Sequence, residues 1–435
     1  MPNPTASLYI YMNGEFVATV KQTPSKDLTL QYEPAWFASE NCRPISISLP
    51  LSRRAITGAA VSNFFDNLLP DSKNVRRVLK RELSADSTNS LDLLYHLGRD
   101  CIGAIQLLAE HPPPRANPLE REPLSNKAIA QLLRDLPEHP LGVSKTNKFR
   151  ISIAGMQDKT ALLQIDGKWY EPIGSTPTTH ILKLALPPRD DASTEYSMEN
   201  EWLCAQITAA FGLPVAKTEL AQFEDMQALV VERFDRRWSG DKQQLFRLPQ
   251  EDMCQALGYA PDDKYEDEGG PGIRKIMDFL KGSVTANQDR IYFLKAQLIF
   301  FLLAAIDGHG KNFSIFIEKQ GRYSMTPLYD IMSGHTFINP KFSAQKLEMA
   351  MALEGKNRHY RWDKIYYRHF LSTAVACGVS AELAGNAYAE VLDNVNRVIR
   401  DVEALLPKKF PAITAQTIFG GMLKARDRLK LAGPN

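Results

Sequence analysis

Asp307 and Asn312 bracket the segment Ile306-Asp307-Gly308-His309-Gly310-Lys311-Asn312-Phe313, where the apolar stretch IYFLKAQLIFFLLAAI gives way to polar residues. Polar groups at such a junction are costly to bury and belong at a cleft. The two glycines let the backbone between them fold tightly. A carboxylate at Asp307 can accept a hydroxyl proton, and the amide oxygen of Asn312 can ligate a hard cation. A second ligand is offered by Asp330, at the end of MTPLYDIM, which reads as an apolar strand. Mg²⁺ takes such oxygen donors and is held by one or two side chains plus substrate phosphates. Each aspartate alone is an ordinary turn residue; their combination with the features below points to phosphate chemistry.

Lys183 sits within the apolar strand pattern THILKLAL. A lysine there needs either an anion or an exposed head. The next helix, MENEWLCAQITAAFGL, offers Glu201 as its partner, with Glu199 as a competitor. Between two expected strands, Ala154-Gly155-Met156-Gln157-Asp158-Lys159 presents successive backbone N–H groups that can cradle an anion. This segment is neither GxGxxG nor GxxxxGK[ST], and an ordinary hairpin loop has the same composition. In LVVERFDRRW an apolar strand runs out at Glu232-Arg233-Phe234. Protein kinases show the same Asp-x-x-x-x-Asn spacing in the catalytic loop, and a strand lysine that meets phosphates and a helix glutamate. The glycines of GGPG at 269–272 follow the acidic DDKYEDE, which would repel phosphate, so a flexible loop is expected there. No SxxK or GxSxG pattern supports a serine hydrolase. The histidines lack HExxH spacing, and His309 stands out only through its loop.

The elements that must position these groups follow from periodicity. LYIYMNGEFVATV alternates around Asn-Gly and predicts a hairpin. NFFDNLLPDSKNVRRVLKREL predicts two helices separated by Leu-Pro-Asp-Ser, and CIGAIQLLAE predicts a strand. HPPPRANP stops regular structure. A helix at about 125–135 is followed by strands to about 240, and then by a mainly helical stretch. The expected division is 1–110, a Pro-rich connector at 111–124, a strand-rich lobe at 125–240 and a helical lobe at 241–435.

The chain has 435 residues, 44% hydrophobic and 23% charged, which is ample for more than one core. Lys+Arg 52 against Asp+Glu 50 gives +2, so no global basic field draws it to nucleic acid. The longest apolar run, Leu298 to Ile306, is shorter than the ~20 residues a membrane span needs. The N-terminus shows no signal-peptide pattern. Five scattered cysteines without CxxC argue for reduced thiols and a cytoplasmic protein.

FRISIAGMQDKTALL, THILKL, VVERFDRR, LPQEDMCQALG, KYEDEGGPGI, DGHGKNFS and PLYDI, with NFFDNLLPDS and LGRDCIGA before them, resemble the HipA family of bacterial serine/threonine-kinase toxins over nearly the whole chain. The resemblance implies an α+β, bilobed protein-kinase-like fold with an added N-terminal α/β subdomain and a mostly helical C-terminal lobe. It implies ATP and Mg²⁺ as cofactors and a protein serine as acceptor. In that reading Asp307 accepts the proton, Asn312 and Asp330 bind Mg²⁺, and Lys183 meets the ATP phosphates. Ala154 to Lys159 form the phosphate loop and Glu232, Arg233 and Phe234 the adenine hinge. His309, Gly310, Lys311, Asn312, Tyr329 and Asp330 supply further nucleotide contacts. Ser152 matches the family's autophosphorylated serine. A phosphate there adds about −1.5 to −2 charge, which an interior position cannot take back without a paired cation.

The family also implies a HipB-type helix-turn-helix antitoxin dimer that binds operator DNA together with the toxin. A glutamyl-tRNA synthetase is the substrate of one relative. The basic residues that a relative turns toward DNA fall here on Val375 and Gly378, so DNA contact is expected mainly through the antitoxin. Two rival expectations share the same core residues: a small-molecule phosphotransferase and a non-enzymatic co-repressor.

Overall fold

The computed structural model describes residues 7–111, 119–143, 151–155, 157–187, 194–338 and 343–431. Met156 and most of the Pro-rich run of the connector lie outside the described residues. The chain is mixed α and β, and its contacts divide it into two compact units. The first comprises Met1–Leu184, Ala221–Asp262 and Ile315–Arg322; the second comprises Ala185–Leu220, Asp263–Ser314 and Tyr323–Asn435. No helix among the described residues is long and apolar enough to cross a membrane.

The first unit opens with an antiparallel sheet in the order Ile56–Thr57, Leu28–Tyr32, Glu15–Gln22, Ser7–Met12, Ile105–Leu108. Its first hairpin turns on Asn13 (φ 48°) and Gly14 (φ 91°), the left-handed pair that a two-residue turn requires. Leu8, Ile10, Val17 and Leu30 from this sheet share a core with Phe65, Leu94, Ile151 and Ile153. The helices Ala59–Asp66 and Lys73–Leu83 are separated by the predicted turn, and Ser72 caps the second by accepting from Val75 N. A second, six-stranded sheet has five strands wholly in this unit, in the order Met226–Glu232, His180–Lys183, Lys159–Ile165, Lys168–Pro172, Arg121–Pro123. The helix Asn126–Asp135, capped by Ser125, buries Ile129 and Leu133 in a core with Leu162, Leu182 and Val230.

The second unit is built on the helix Ala286–Leu303, whose side chains from Phe293 to Leu303 are nearly all buried. It packs against Ala381–Glu403 and Ala412–Leu431. The long apolar stretch therefore belongs to a central helix that other helices surround.

Several expected elements end differently. The central helix stops at Leu303 because Ala304 turns left-handed (φ 49°); the apolar pattern continues to Ile306 because that turn is itself buried. MTPLYDIM is not a strand: regular pairing ends at Met325, and beyond it Leu328 makes only an isolated bridge with Val215. Residues 151–154 form no strand, although Ile151, Ser152 and Ile153 are buried. The strand carrying Lys183 ends at that residue. The strand entering ERFDRRW ends at Glu232, and a separate short strand follows at Arg236–Trp238. The GGPG segment is packed rather than loose, with Gly270 N bonded to Tyr265 O and Ala352 N donating to the Glu266 carboxylate. The strand pair Glu348–Glu354 and Arg358–Arg361 also interrupts the helical half.

Candidate active site

Two sets of predicted residues assemble, one within each unit. In the second unit the chain leaves the central helix and is fixed at short intervals. Gly308 lies against the Phe300 ring, where a Cβ would collide. Ile306 O accepts from Ala350 N at 3.0 Å, and Gly310 N donates to Lys264 O at 3.1 Å. Phe313 is buried against Phe293 and Phe300 and closes the loop. The loop is therefore held at both ends.

Asp307 accepts a 2.5 Å hydrogen bond from the Tyr265 hydroxyl. The same tyrosine ring stands edge-on to His309, with centroids 5.0 Å apart. His309 is buried, and its Nδ1 has no hydrogen-bond partner among the described residues. Burial lowers its basicity, with Asp307 opposing and Lys264 reinforcing that shift, which keeps the ring neutral near pH 7. The sequence marks Tyr265 only by its place in the acidic run KYEDEGG.

Asn312 is buried, and its Nδ2 donates to Asp330 Oδ2 at 3.2 Å. Its Oδ1 has no hydrogen-bond partner among the described residues. A buried carbonyl oxygen left over beside a carboxylate is an unusual arrangement that a hard divalent cation would satisfy. The pair therefore fits Mg²⁺. No cluster of three His, Cys, Asp or Glu that could hold a metal occurs among the described residues, so a cation here would draw its remaining ligands from elsewhere. Asp330 has φ 59°, a left-handed conformation uncommon outside glycine, asparagine and aspartate. Its neighbour Tyr329 uses its hydroxyl within the protein, donating to Lys311 O (2.7 Å) and sharing a 2.5 Å bond with Ser314 Oγ. That leaves Tyr329 as a brace between the loop and Asp330. Glu199 and Glu201 are both buried on the helix Ser197–Ala210 of this unit.

In the first unit, Lys159 and Lys183 stand directly opposite each other on adjacent antiparallel strands, and both are buried. The register places two ammonium groups on one face of the sheet. Lys159 Nζ also donates to Ala154 O at 2.6 Å, folding the loop over its own lysine. Gly155 has φ 103°, and a Cβ there would run into the Lys159 ammonium. Gln157 donates to Leu184 O, and Leu184 N to Asp158 O. Burial raises the Asp158 pKa, partly offset by Lys159.

Glu232 is exposed at its strand end, and Phe234 stands edge-on to Phe316 at 5.9 Å. The Arg233 guanidinium is buried and bonds Asp235, Thr178 and Cys101 O, while its backbone N–H donates to Thr179 O. Ser152 is fully buried. Its Oγ donates to Leu68 O at 2.7 Å and its N–H to Asp100 O at 3.0 Å.

Comparison with known proteins identifies the family. Residues 151–399 match the HipA-like C-terminal domain, and residues 8–108 match the HipA N-terminal domain. Y4mE of Sinorhizobium fredii, which carries a kinase name, is 34% identical over 92% of this chain and 93% of its own length. The serine/threonine-protein kinase toxin HipA of Shewanella oneidensis is 27% identical over 84% of this chain and 82% of its own. A solved structure from Shewanella oneidensis MR-1, of HipA with HipB and its operator DNA, shares the fold: TM-score 0.81, 23% identity, and 97% of each chain covered. With both domains matched in order and one relative alignable along nearly the whole length, the chain belongs to the HipA family.

Proposed function

We propose that this protein is a serine/threonine protein kinase toxin of a toxin–antitoxin pair, transferring the γ-phosphoryl group of ATP to a protein serine. The observation that carries the reading is the loop from Asp307 to Asn312: a carboxylate held by a tyrosine hydroxyl and, five residues on, an amide oxygen left over against the Asp330 carboxylate. Asp307 orients the acceptor hydroxyl and takes its proton as the serine oxygen bonds the γ-phosphorus and the bond to the β–γ bridging oxygen breaks, releasing ADP. Tyr265 fixes which way that carboxylate faces. Asn312 and Asp330 would hold Mg²⁺, which when bound neutralises charge on the ATP phosphates. Lys159, Lys183 and the backbone of Ala154 to Lys159 serve as phosphate ligands, and the chain at Glu232 to Phe234 receives the adenine. Phosphoryl transfer needs positioning and charge neutralisation more than covalent help, and a base of this kind adds ~10²–10⁴-fold.

By family likeness we further propose that Ser152 is an autophosphorylation site. A HipB-type antitoxin dimer would be the partner, with operator DNA reached mainly through it in co-repression. Growth arrest and persistence would follow from kinase activity in the cytoplasm, with a glutamyl-tRNA synthetase the first acceptor to test. Ser152 is buried with both its polar groups bonded, so its modification requires residues 151–155 to leave Leu68 and Asp100.

The test is labelling of lysate with γ-radioactive ATP, together with thermal melting of the pure protein with and without MgATP. Label in protein serine and a Mg²⁺-dependent stabilisation are expected. Label only in small molecules would favour a metabolite phosphotransferase, and no stabilisation at millimolar nucleotide would favour a co-repressor without catalysis.

A further inference from the structure

Five charged side chains lie together inside the first unit: Asp100, Arg233, Asp235, Arg236 and Arg247, none more than 9% exposed. Asp100 is their centre. Its carboxylate accepts from Arg236 Nη2 (2.8 Å), Arg247 Nε (3.0 Å), Thr178 Oγ1 (2.8 Å) and Thr178 N (3.0 Å). Arg233 Nη1 approaches the same carboxylate at 3.4 Å. Asp235 completes the cluster, accepting from Arg233 and from Gly103 N. Further guanidinium donors reach the carbonyls of Cys101, Gly103, Thr178 and Ser175. Burial alone would raise the Asp100 pKa, but Arg236, Arg247 and Arg233 outweigh it and hold the carboxyl far below its usual range.

A buried ion cluster is weak evidence of net stabilisation, because desolvation offsets most of the Coulomb gain. What it supplies is fixed geometry, and the segments it fixes are informative. The Asp100 carbonyl takes the Ser152 N–H. Thr178 stands two residues before the strand His180–Lys183. Arg233 and Arg236 flank Phe234, just after the strand that ends at Glu232. One residue of the N-terminal domain thus touches the stem of the proposed phosphate loop, the lead into the lysine strand and the proposed adenine hinge.

We infer that Asp100 is a positioning residue for nucleotide binding, through which the N-terminal domain holds these three segments in one mutual register. This inference rests on the kinase reading for its functional half. Because every member is desolvated, loosening one leaves the others uncompensated, so the three segments respond together.

The test compares full-length wild type with Asp100→Asn and with the milder Thr178→Val, which removes one hydroxyl and keeps the shape. Hydrogen exchange is measured without nucleotide, and steady-state kinetics with MgATP. Amides at 151–155, 178–183 and 233–236 are expected to exchange about tenfold faster or more, together, with the strands Glu15–Gln22 and Leu28–Tyr32 unchanged. The KM for ATP should rise about tenfold while kcat moves less than about threefold. Faster exchange confined to 98–103, faster exchange spread evenly over the unit, or a fall in kcat at unchanged KM would each overturn the inference. If wild type binds no ATP, the kinase reading fails, and the exchange pattern still decides whether Asp100 couples the segments.

Discussion

The Tyr265 hydroxyl donates a 2.5 Å hydrogen bond to Asp307 Oδ1 while its ring stands edge-on to His309. A hydrogen bond to a charged group contributes ~1.5–3 kcal/mol, and here it restricts the rotation of the carboxylate that must meet the acceptor hydroxyl. Tyr265→Phe keeps the ring and removes only the donor. Its kcat for peptide phosphorylation should fall about tenfold with the KM for ATP unchanged. Unchanged kcat would show that Asp307 is oriented without Tyr265.

Asn312 and Asp330 carry a different consequence, readable without turnover. Ligand that binds only the folded protein stabilises it by ~2.7 kcal/mol at one hundred times its Kd. Wild type should therefore melt higher with ATP when Mg²⁺ is present. Asp330→Asn should lose most of that Mg²⁺-dependent increment in a thermal melt. An increment equal to wild type would remove Asp330 as a metal ligand.

Ser152 gives a prediction about stability. Ser152→Ala leaves Leu68 O without its donor, which costs ~1–3 kcal/mol for a buried group. Ser152→Asp adds a charge at a fully buried position and should cost more, releasing residues 151–155 to exchange. Denaturant melts and hydrogen exchange check the order wild type, Ala, Asp. An aspartate variant as stable as wild type would contradict the buried setting.

Glu251 makes stability depend on pH. It is fully buried, with Oε1 accepting from Ile47 N at 2.8 Å, and burial pushes its pKa up to about 8. A raised folded-state pKa means stability is fully present below the unfolded value of about 4.3 and is lost as pH rises through 8. Glu251→Gln should therefore melt higher than wild type at pH 9, by roughly 2–4 °C per kcal/mol for a unit of roughly 200 residues. Little difference is expected at pH 5. Equal melting at pH 9 would contradict the assignment.

What could be read from the sequence was whatever lay close together along it. The abrupt change from apolar to polar at Ile306-Asp307 and the lysine in THILKL mark positions without any fold in hand. Asp330 was found for the right residue type on the wrong element: its apolar approach is buried irregular chain, and a left-handed turn delivers it to Asn312. Tyr265 and Asp100 escaped because their partners are remote. Tyr265 meets a residue 42 positions away, and the Asp100 carboxylate collects groups 78 to 147 positions away. The inward turn of the Arg233 guanidinium to the ion cluster is likewise set by residues remote in sequence.

The most direct measurement is incorporation of γ-labelled phosphate by the full-length protein with Mg²⁺, with Ser152 occupancy followed by mass spectrometry, in wild type and in Asp307→Asn. The account predicts labelled Ser152 in wild type and a loss of ~10²-fold or more in the variant, which should melt like wild type. Labelling of the folded Asp307→Asn protein at the wild-type rate would contradict it.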